Sequence, residues 1–318
     1  MLQLYILSKD RSEELRSAII SALNQDYKEI EIIVSDNSEE TTVSKMMQTD
    51  FSGINYIKRT TLLDPLEHIK QVIEEATANF VMIFHDDDIL QRTHVSNILL
   101  KFKQNPNLAA VGSNATFFGN TFLKKYSQMN TKNDVVIKSA KQLFEYYLGL
   151  EHSGISNAPF SSYIFKTSIL KKANKNFYSE CGKHSDLQLL AKILDYGYIL
   201  WLSKLTMFYR IHSTQGSSIE SIYNRKQVLN MMSSYGVDMH SKSVIYYKFM
   251  YLYRWWKSAN KNMIRIPRGM KERVVAKFLV RTFLYLSISS KFFVLKILKV
   301  ISFVFLKVIG KVRKILSP

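Results

Sequence analysis

The chain has 318 residues, 47% of them hydrophobic and 22% charged. That is enough apolar material for one large α/β domain with a smaller appendage, and it excludes a disordered or fibrous protein. The formal charge of +18 is local: Met1 to Ser241 carries 26 basic and 25 acidic residues, whereas Lys242 to Pro318 carries 18 basic residues and one acidic, Glu272, so a globally cationic protein is excluded and a contact surface at one end is indicated.

Taken in chain order, Leu2 to Leu7 reads as a strand, and Asp10 with Glu13 can cap a helix that carries Leu15, Ile19 and Leu23 on one face and ends near Asn24. With no basic leader ahead of that strand, the enzyme-like part is expected in the cytosol. Ile30 to Ser35 is a β-branched run that stops at Asp36-Asn37-Ser38, which starts a parallel sheet. Ile54 to Ile57 reads as a third strand, Leu66 to Ala76 as a helix and Phe80 to Phe84 as a buried strand; Leu108 to Gly112 is a fifth. Ser113 to Asp134 turns polar and reads as a long surface excursion. A helix over Lys141 to Leu150, a loop over Ser153 to Pro159, a strand over Ser162 to Phe165 and a helix over Asp186 to Asp195 closed by Gly197 follow. Tyr198 to Leu202 and Thr206 to Tyr209 read as two strands. Cys181 is the single cysteine, so an intramolecular disulfide is excluded and a reducing compartment is favoured.

The chemistry concentrates at Asp86-Asp87-Asp88, three carboxylates set directly after an apolar strand. Adjacent carboxylates raise one another's pKa, and a hard divalent cation such as Mg²⁺ or Mn²⁺ keeps them ionised together. Asp36 ends another strand, so two acidic sites converge on the crevice outside the carboxyl ends of a parallel sheet. Neither G-x-G-x-x-G after the first strand nor G-x-x-x-x-G-K-[ST] occurs, which disfavours dinucleotide dehydrogenases and P-loop enzymes. Each residue also has a plainer reading: a solvated turn for the triad, a helix N-cap for Asp36 and Asp186, and a strand-end pair for Arg210 and His212. His85 reads as structural.

Ser21-Ala22-Leu23-Asn24-Gln25-Asp26-Tyr27, the strand ending Ser35-Asp36-Asn37-Ser38, His85-Asp86-Asp87-Asp88, Ser185-Asp186 before a leucine-rich helix, and Tyr209-Arg210-Ile211-His212 together resemble an inverting family-2 glycosyltransferase of GT-A fold, over Leu2 to Ser218. The resemblance implies a Rossmann-like, mostly parallel central sheet flanked by helices. Its donor-binding half would span residues 1–112 and its acceptor-binding half 113–218. It implies Asp186 as catalytic base, Asp36, Asp86, Arg210 and Ser8 as contacts to a nucleotide-sugar donor, a UDP-sugar first among them, and Asp87, Asp88 and His212 around Mn²⁺ or Mg²⁺. The opening turn Leu7-Ser8-Lys9-Asp10-Arg11 lacks the family's usual Pro and Tyr. A metal-dependent nucleotidyl or phosphoryl transferase is the rival enzyme class, and it would need no base near Asp186. A noncatalytic membrane or nucleic-acid-binding adaptor is the third class.

Residues 219–318 are expected to form a basic, aromatic helical region. Between Phe283 and Leu316 the lysines at 291, 296, 299, 307 and 311 interrupt any stretch of the roughly 18 to 20 apolar residues that a span needs. Lys296, Lys299, Lys307, Lys311 and Lys314 share one side of a helix whose remainder is apolar, a pattern suited to lying in an anionic membrane surface. The expected setting is peripheral attachment at the inner face of a bacterial cell membrane. The acceptor there would be a lipid-linked sugar or a growing capsule, O-antigen or teichoic-type glycan. Nucleic acid is the disfavoured partner of this surface, and a homo-oligomer contact is a further reading of it.

Overall fold

The computed structural model describes residues 1–119, 122–127, 132–148, 157–175, 179–211 and 222–248. In chain order it holds β1 (Leu2–Ser8), α1 (Ser12–Leu23), β2 (Ile30–Asp36), α2 (Thr42–Asp50), β3 (Asn55–Lys58), α3 (Pro65–Glu75), β4 (Phe80–His85), β5 (Ile89–Leu90), α4 (His94–Gln104) and β6 (Leu108–Gly119). Then come β7 (Phe122–Ser127), β8 (Val135–Ile137), α5 (Ala140–Leu148), a 3₁₀ turn at Phe160–Ser162, β9 (Ile164–Lys166) and α6 (Thr167–Lys175). A second 3₁₀ segment at Ser179–His184, α7 (Ser185–Ile193), β10 (Tyr198–Arg210) and α8 (Ile222–Ser234) complete the set.

Among the described residues the strands form one sheet in the order β3-β2-β1-β4-β9-β6-β10-β5, with β7 on β6 and β8 on β10. β3, β2, β1 and β4 are mutually parallel, as are β6 and β10, while β9 runs antiparallel between β4 and β6. The expected α/β class and mostly parallel sheet therefore stand. Strands such as Leu-Gln-Leu-Tyr-Ile-Leu-Ser are buried on both faces because helices cover the parallel ladder on each side. One apolar cluster joins Leu4, Ile6, Met82 and Phe84 of the sheet to Leu15 and Ile19 of α1, Met46 and Met47 of α2, and Ile98 and Phe102 of α4.

Several local expectations change. Asp10 does not cap α1: Arg11 holds the cap position with no side-chain bond. Asp10 instead adopts φ 55°, and its carboxylate accepts from the backbone N–H of Glu39 and Glu40 at 3.0 and 3.3 Å. Leu23, expected on the core face, is 53% exposed, because Ala18 and Ala22 complete that face instead. α3 has the stronger start, with Pro65 in its first turn and Asp64 accepting from Leu66 and Glu67 N–H. The polar stretch after Gly112 is no surface excursion at its start: β6 runs on to Gly119, and its buried Ser113 is held by a hydrogen bond from its own N–H to Ser162 Oγ at 3.0 Å. The two strands expected between 198 and 209 are one, β10, with register shifts around Leu205. Ser203, inside that irregular stretch, donates its N–H and its hydroxyl to Asp134.

The chain divides into two units, Met1–Val237 and Asp238–Pro318, and the two halves expected to meet at 112/113 share the continuous strand β6. Among the described residues no helix is long and apolar enough to cross a membrane. The amphipathic segment expected near the C-terminus lies outside the described residues.

Gly112 is required by close packing. A Cβ there would stand 2.7 Å from the ring of Tyr163, which is wholly buried and accepts a hydrogen bond from Trp201 Nε1. Gly112→Ala is expected to cost about 1–3 kcal/mol of stability, read as a lower urea midpoint with an unchanged slope; an unaltered midpoint would show that the ring has room to move.

Candidate active site

The carboxyl ends of β1, β2 and β4 lie side by side, since Ser8 pairs with Asp36 and Leu7 with His85. Strand order reverses at β1, so the crevice opens where α/β sheets bind ligands. Ser8 is buried between the two acidic strand ends. Its hydroxyl lies close enough to Asp86 to lower that residue's pKa.

The triad itself is drawn inward. Asp86, Asp87 and Asp88 are 5%, 9% and 1% exposed. Asp86 accepts from Lys9 N–H at 3.3 Å, and Arg11 Nη1 donates to Asp86 Oδ1 at 3.3 Å and to Asp87 Oδ2 at 3.1 Å. Asp88 knits three segments together: its Oδ1 accepts from Arg210 N–H at 2.9 Å and its Oδ2 from the Ser161 hydroxyl. Arg210 also donates Nε–H to the Asp87 carbonyl at 2.9 Å and lies over the Phe118 ring at 4.6 Å. Burial, opposed by Arg11 and helped by Asp87, pushes Asp86 up to about 7. Burial and then Asp87 push Asp88 up to about 8.

One ligand atom each from His85, Asp87 and Asp88 lie within 4.8 Å of one another. His85, assigned a structural role from the sequence, thus stands beside both expected ligands, while His212 lies outside the described residues. The donor set fits a divalent cation such as Mn²⁺ or Mg²⁺, because a carboxylate oxygen that accepts one hydrogen bond keeps a second lone pair and a neutral imidazole offers a nitrogen. Burial lowers the His85 pKa, which favours that neutral form.

Asp186 arrives from far along the chain. It sits in the first turn of α7, after the helix start rather than at its cap, with Oδ1 accepting from Leu187 N–H at 2.7 Å. The turn before it is set by Gly182 at φ 54°, whose missing Cβ leaves room for Asn224 of α8, and by the Ser185 hydroxyl donating to the Gly182 carbonyl. Asp186 keeps an exposed surface, yet the groups around it are dense enough that desolvation is the largest influence and raises its pKa, opposed by Leu187 N–H, His184 and His85. Its charge reaches His85, Tyr163 and Tyr209. The Tyr209 hydroxyl pKa is raised by burial and then by the charges of Asp88, Asp87 and Asp186.

Asp36 is held by three neighbours at the end of β2. It is 0% exposed, and it accepts from Ser38 N–H at 2.8 Å, Tyr56 OH at 2.6 Å and Lys58 Nζ at 3.0 Å. Burial alone would raise its pKa, but these bonds outweigh it and hold the carboxyl below its usual range. These bonds brace the ends of β2 and β3. Sequence reasoning missed Arg11 and Ser161 as members of the site, and it took Tyr209 only as part of the Tyr209-Arg210-Ile211-His212 motif. Arg11 had a signal, as a cation in the first strand-to-helix turn.

Residues 4–172 match the family described as Glycosyl transferase family 2, more than half of the chain. The chain belongs to glycosyl transferase family 2. Among relatives of this family-2 chain is the GalNAc(5)-diNAcBac-PP-undecaprenol beta-1,3-glucosyltransferase of Campylobacter jejuni, 28% identical over 182 residues, 53% of this chain and 53% of the relative. The family-2 chain thus spans about half the length of that curated relative. Among solved structures it resembles S. aureus TarS 1–349 in complex with UDP-GlcNAc, with a TM-score of 0.57 at 13% identity over 87% of this chain and 78% of that one. The longer S. aureus TarS structure matches with a TM-score of 0.55 at 14% identity, over 83% of this chain and 46% of that one. Likeness at such identity bears on the GT-A fold alone.

Proposed function

We propose that this family-2 chain transfers a sugar from a nucleoside-diphosphate donor, a UDP-sugar first, to a hydroxyl of a glycan or lipid-linked acceptor, with inversion, in bacterial surface-glycan synthesis. The observation that carries this reading is the placement of Asp186 within electrostatic reach of His85 in the His85-Asp87-Asp88 set. A group able to take a proton would thereby stand beside a group able to hold the cation that a departing diphosphate needs. The Campylobacter relative's name and the UDP-GlcNAc and UDP complexes of TarS support the donor and acceptor classes.

In this reading Asp186 accepts the acceptor hydroxyl proton as that oxygen attacks the anomeric carbon, while the bond from that carbon to the β-phosphate oxygen breaks and its electrons leave with the diphosphate. One displacement inverts the configuration. A raised carboxyl pKa suits the task, since a base near the working pH takes a proton most effectively. His85, Asp87 and Asp88 would hold Mn²⁺ or Mg²⁺, which supplies charge to offset the departing diphosphate. Arg210, Asp86 and Ser8 line the same corner. Asp36, at the end of β2, would accept a hydrogen bond from the base edge of the donor. The acceptor enters from the side of residues 113–218, and the basic region beyond residue 218 attaches the chain peripherally to the membrane.

The test is binding of UDP with and without Mn²⁺ by calorimetry. Because burial and Asp87 push Asp88, a member of the His85-Asp87-Asp88 set, up to about 8, a cation must displace its proton, so affinity is expected to climb about tenfold per pH unit below pH 8 and to level off above it. The sign follows from linkage. Carboxyls raised in the folded state stabilise it fully below their unfolded pKa and lose that contribution as pH rises through the folded values, so Mn²⁺ should raise the melting temperature more at alkaline than at acid pH. Absence of Mn²⁺-dependent UDP binding at every pH would remove the proposed mechanism.

A further inference from the structure

We propose that Arg11 is a built-in counter-ion shared between the cation-binding carboxylates and the donor diphosphate, and that it makes the two ligands bind cooperatively; this rests on the function proposed above. Arg11 Nη1 donates to Asp86 Oδ1 and Asp87 Oδ2, and Asp87 is also one of the three residues able to hold a cation. One carboxylate thus has two competing positive partners.

The geometry separates a fixed root from a head able to change partner. The backbone around Arg11 is pinned: Asp10 N–H donates to Ser38 Oγ at 2.7 Å, Asp10 Oδ1 accepts from two N–H groups of the next loop, and the Arg11 carbonyl accepts from Leu15 N–H at 3.0 Å. The side chain is 38% exposed, against 6% and 11% for the two carboxylates it touches. The guanidinium therefore caps the crevice mouth above acids that lie on its floor. It uses a single nitrogen, at 3.1 and 3.3 Å, rather than the two-nitrogen fork that makes arginine–carboxylate pairs strong. A partly exposed pair of that kind is weak and exchangeable.

With no ligand bound, Arg11 offsets part of the repulsion between Asp86 and Asp87. A cation approaching Asp87 alone meets this positive charge and binds weakly. A diphosphate offers the guanidinium an anionic partner that suits its planar fork, and once Arg11 turns to it, Asp87 is released to the cation. By reciprocity the cation then favours the diphosphate by the same factor. A rigid clamp that only shapes the carboxylates would behave in the opposite way, since its removal would weaken cation binding.

The experiment is a titration of the full chain with Mn²⁺, with free metal read by electron paramagnetic resonance, with and without UDP, for the wild type, Arg11→Met and Arg11→Lys, each checked for folding by circular dichroism. Arg11→Met is expected to bind Mn²⁺ alone about tenfold tighter than the wild type and to lose about tenfold of the gain that UDP brings. Arg11→Lys, which keeps the charge, is expected to bind Mn²⁺ alone as the wild type does. Equal or weaker Mn²⁺ binding by Arg11→Met overturns the counter-ion role and leaves the sugar-transfer reading intact. Failure of all three proteins to bind Mn²⁺ at any UDP concentration overturns the cation site and this proposal with it.

Discussion

Asp186→Asn is expected to lower the rate of sugar transfer by about 10²- to 10⁴-fold while leaving UDP binding and the melting temperature near those of the wild type. The amide keeps the shape of the carboxyl and can still accept from Leu187 N–H, so α7 should start as before. It cannot take a proton from the acceptor hydroxyl. The loss should fall on kcat, because the interaction is made as the oxygen attacks rather than when the donor binds. The pH profile separates this role from a structural one. In the wild type the rate rises as a carboxyl with an upward-shifted pKa, raised first by burial, gives up its proton, and in Asp186→Asn that limb should vanish. Full activity in Asp186→Asn, or a loss matched by weaker UDP binding, would remove Asp186 from the base position.

The largest expected effect on stability belongs to Arg59. Its side chain is 5% exposed, and it donates two bonds to Glu75, at 2.5 and 2.7 Å, and Nε–H to Ser35 Oγ at 2.9 Å. Ser35 in turn lies 2.6 Å from His68 Nε2. Burial and the neighbouring Arg59 press the His68 pKa down to about 4, so the ring is neutral and its Nε2 accepts the Ser35 proton. Ser35 and His68 resemble a nucleophile and base, but the serine is 0% exposed and reaches no crevice. The network is a brace that ties β2 and the end of β3 to α3, one residue before Asp36. Arg59→Met strips the partner from Glu75 and leaves Ser35 Oγ one donor short. A cost of about 3 kcal/mol is expected, at the low end for a broken buried ion pair because Glu75 keeps 32% of its side-chain surface in water. Urea unfolding reads the loss, and the His68 ring resonances should titrate at a higher pH in the variant. An unshifted His68 together with an unchanged urea midpoint would show that the brace contributes nothing.

Legibility differed from residue to residue. Asp86 to Asp88 could be found because an apolar strand ending in three carboxylates breaks a local pattern, and the register of β1 with β2 and β4 then follows from adjacent parallel strands. His85 was harder to read, since it is the last residue of β4 and its position in the sequence does not tell whether its ring faces the core or the crevice. Of the helices that went unforeseen, α2 and α6 are short and rich in polar residues, so their buried faces rest on a few side chains such as Val43, Met46 and Met47, or Leu170 and Ala173. β6 misled because Ser113 and Asn114 look like loop residues. Both are buried, and they are held by Ser162 and by the Ser203 carbonyl from distant segments.

What the sequence by itself determined is the class of fold, the family and the acidic corner, because hydrophobic period, strand-end charge and contiguous motifs are local and survive without knowledge of partners. Only the tertiary structure decided which role each charge can play. It enclosed Asp36 among Ser38, Tyr56 and Lys58. It set His85 beside Asp87 and Asp88, and laid Arg11 across two of the three carboxylates. A carboxylate's chemistry depends on its desolvation and on the donors within about 3 Å of it, and here those donors come from segments the chain brings back from far along its length.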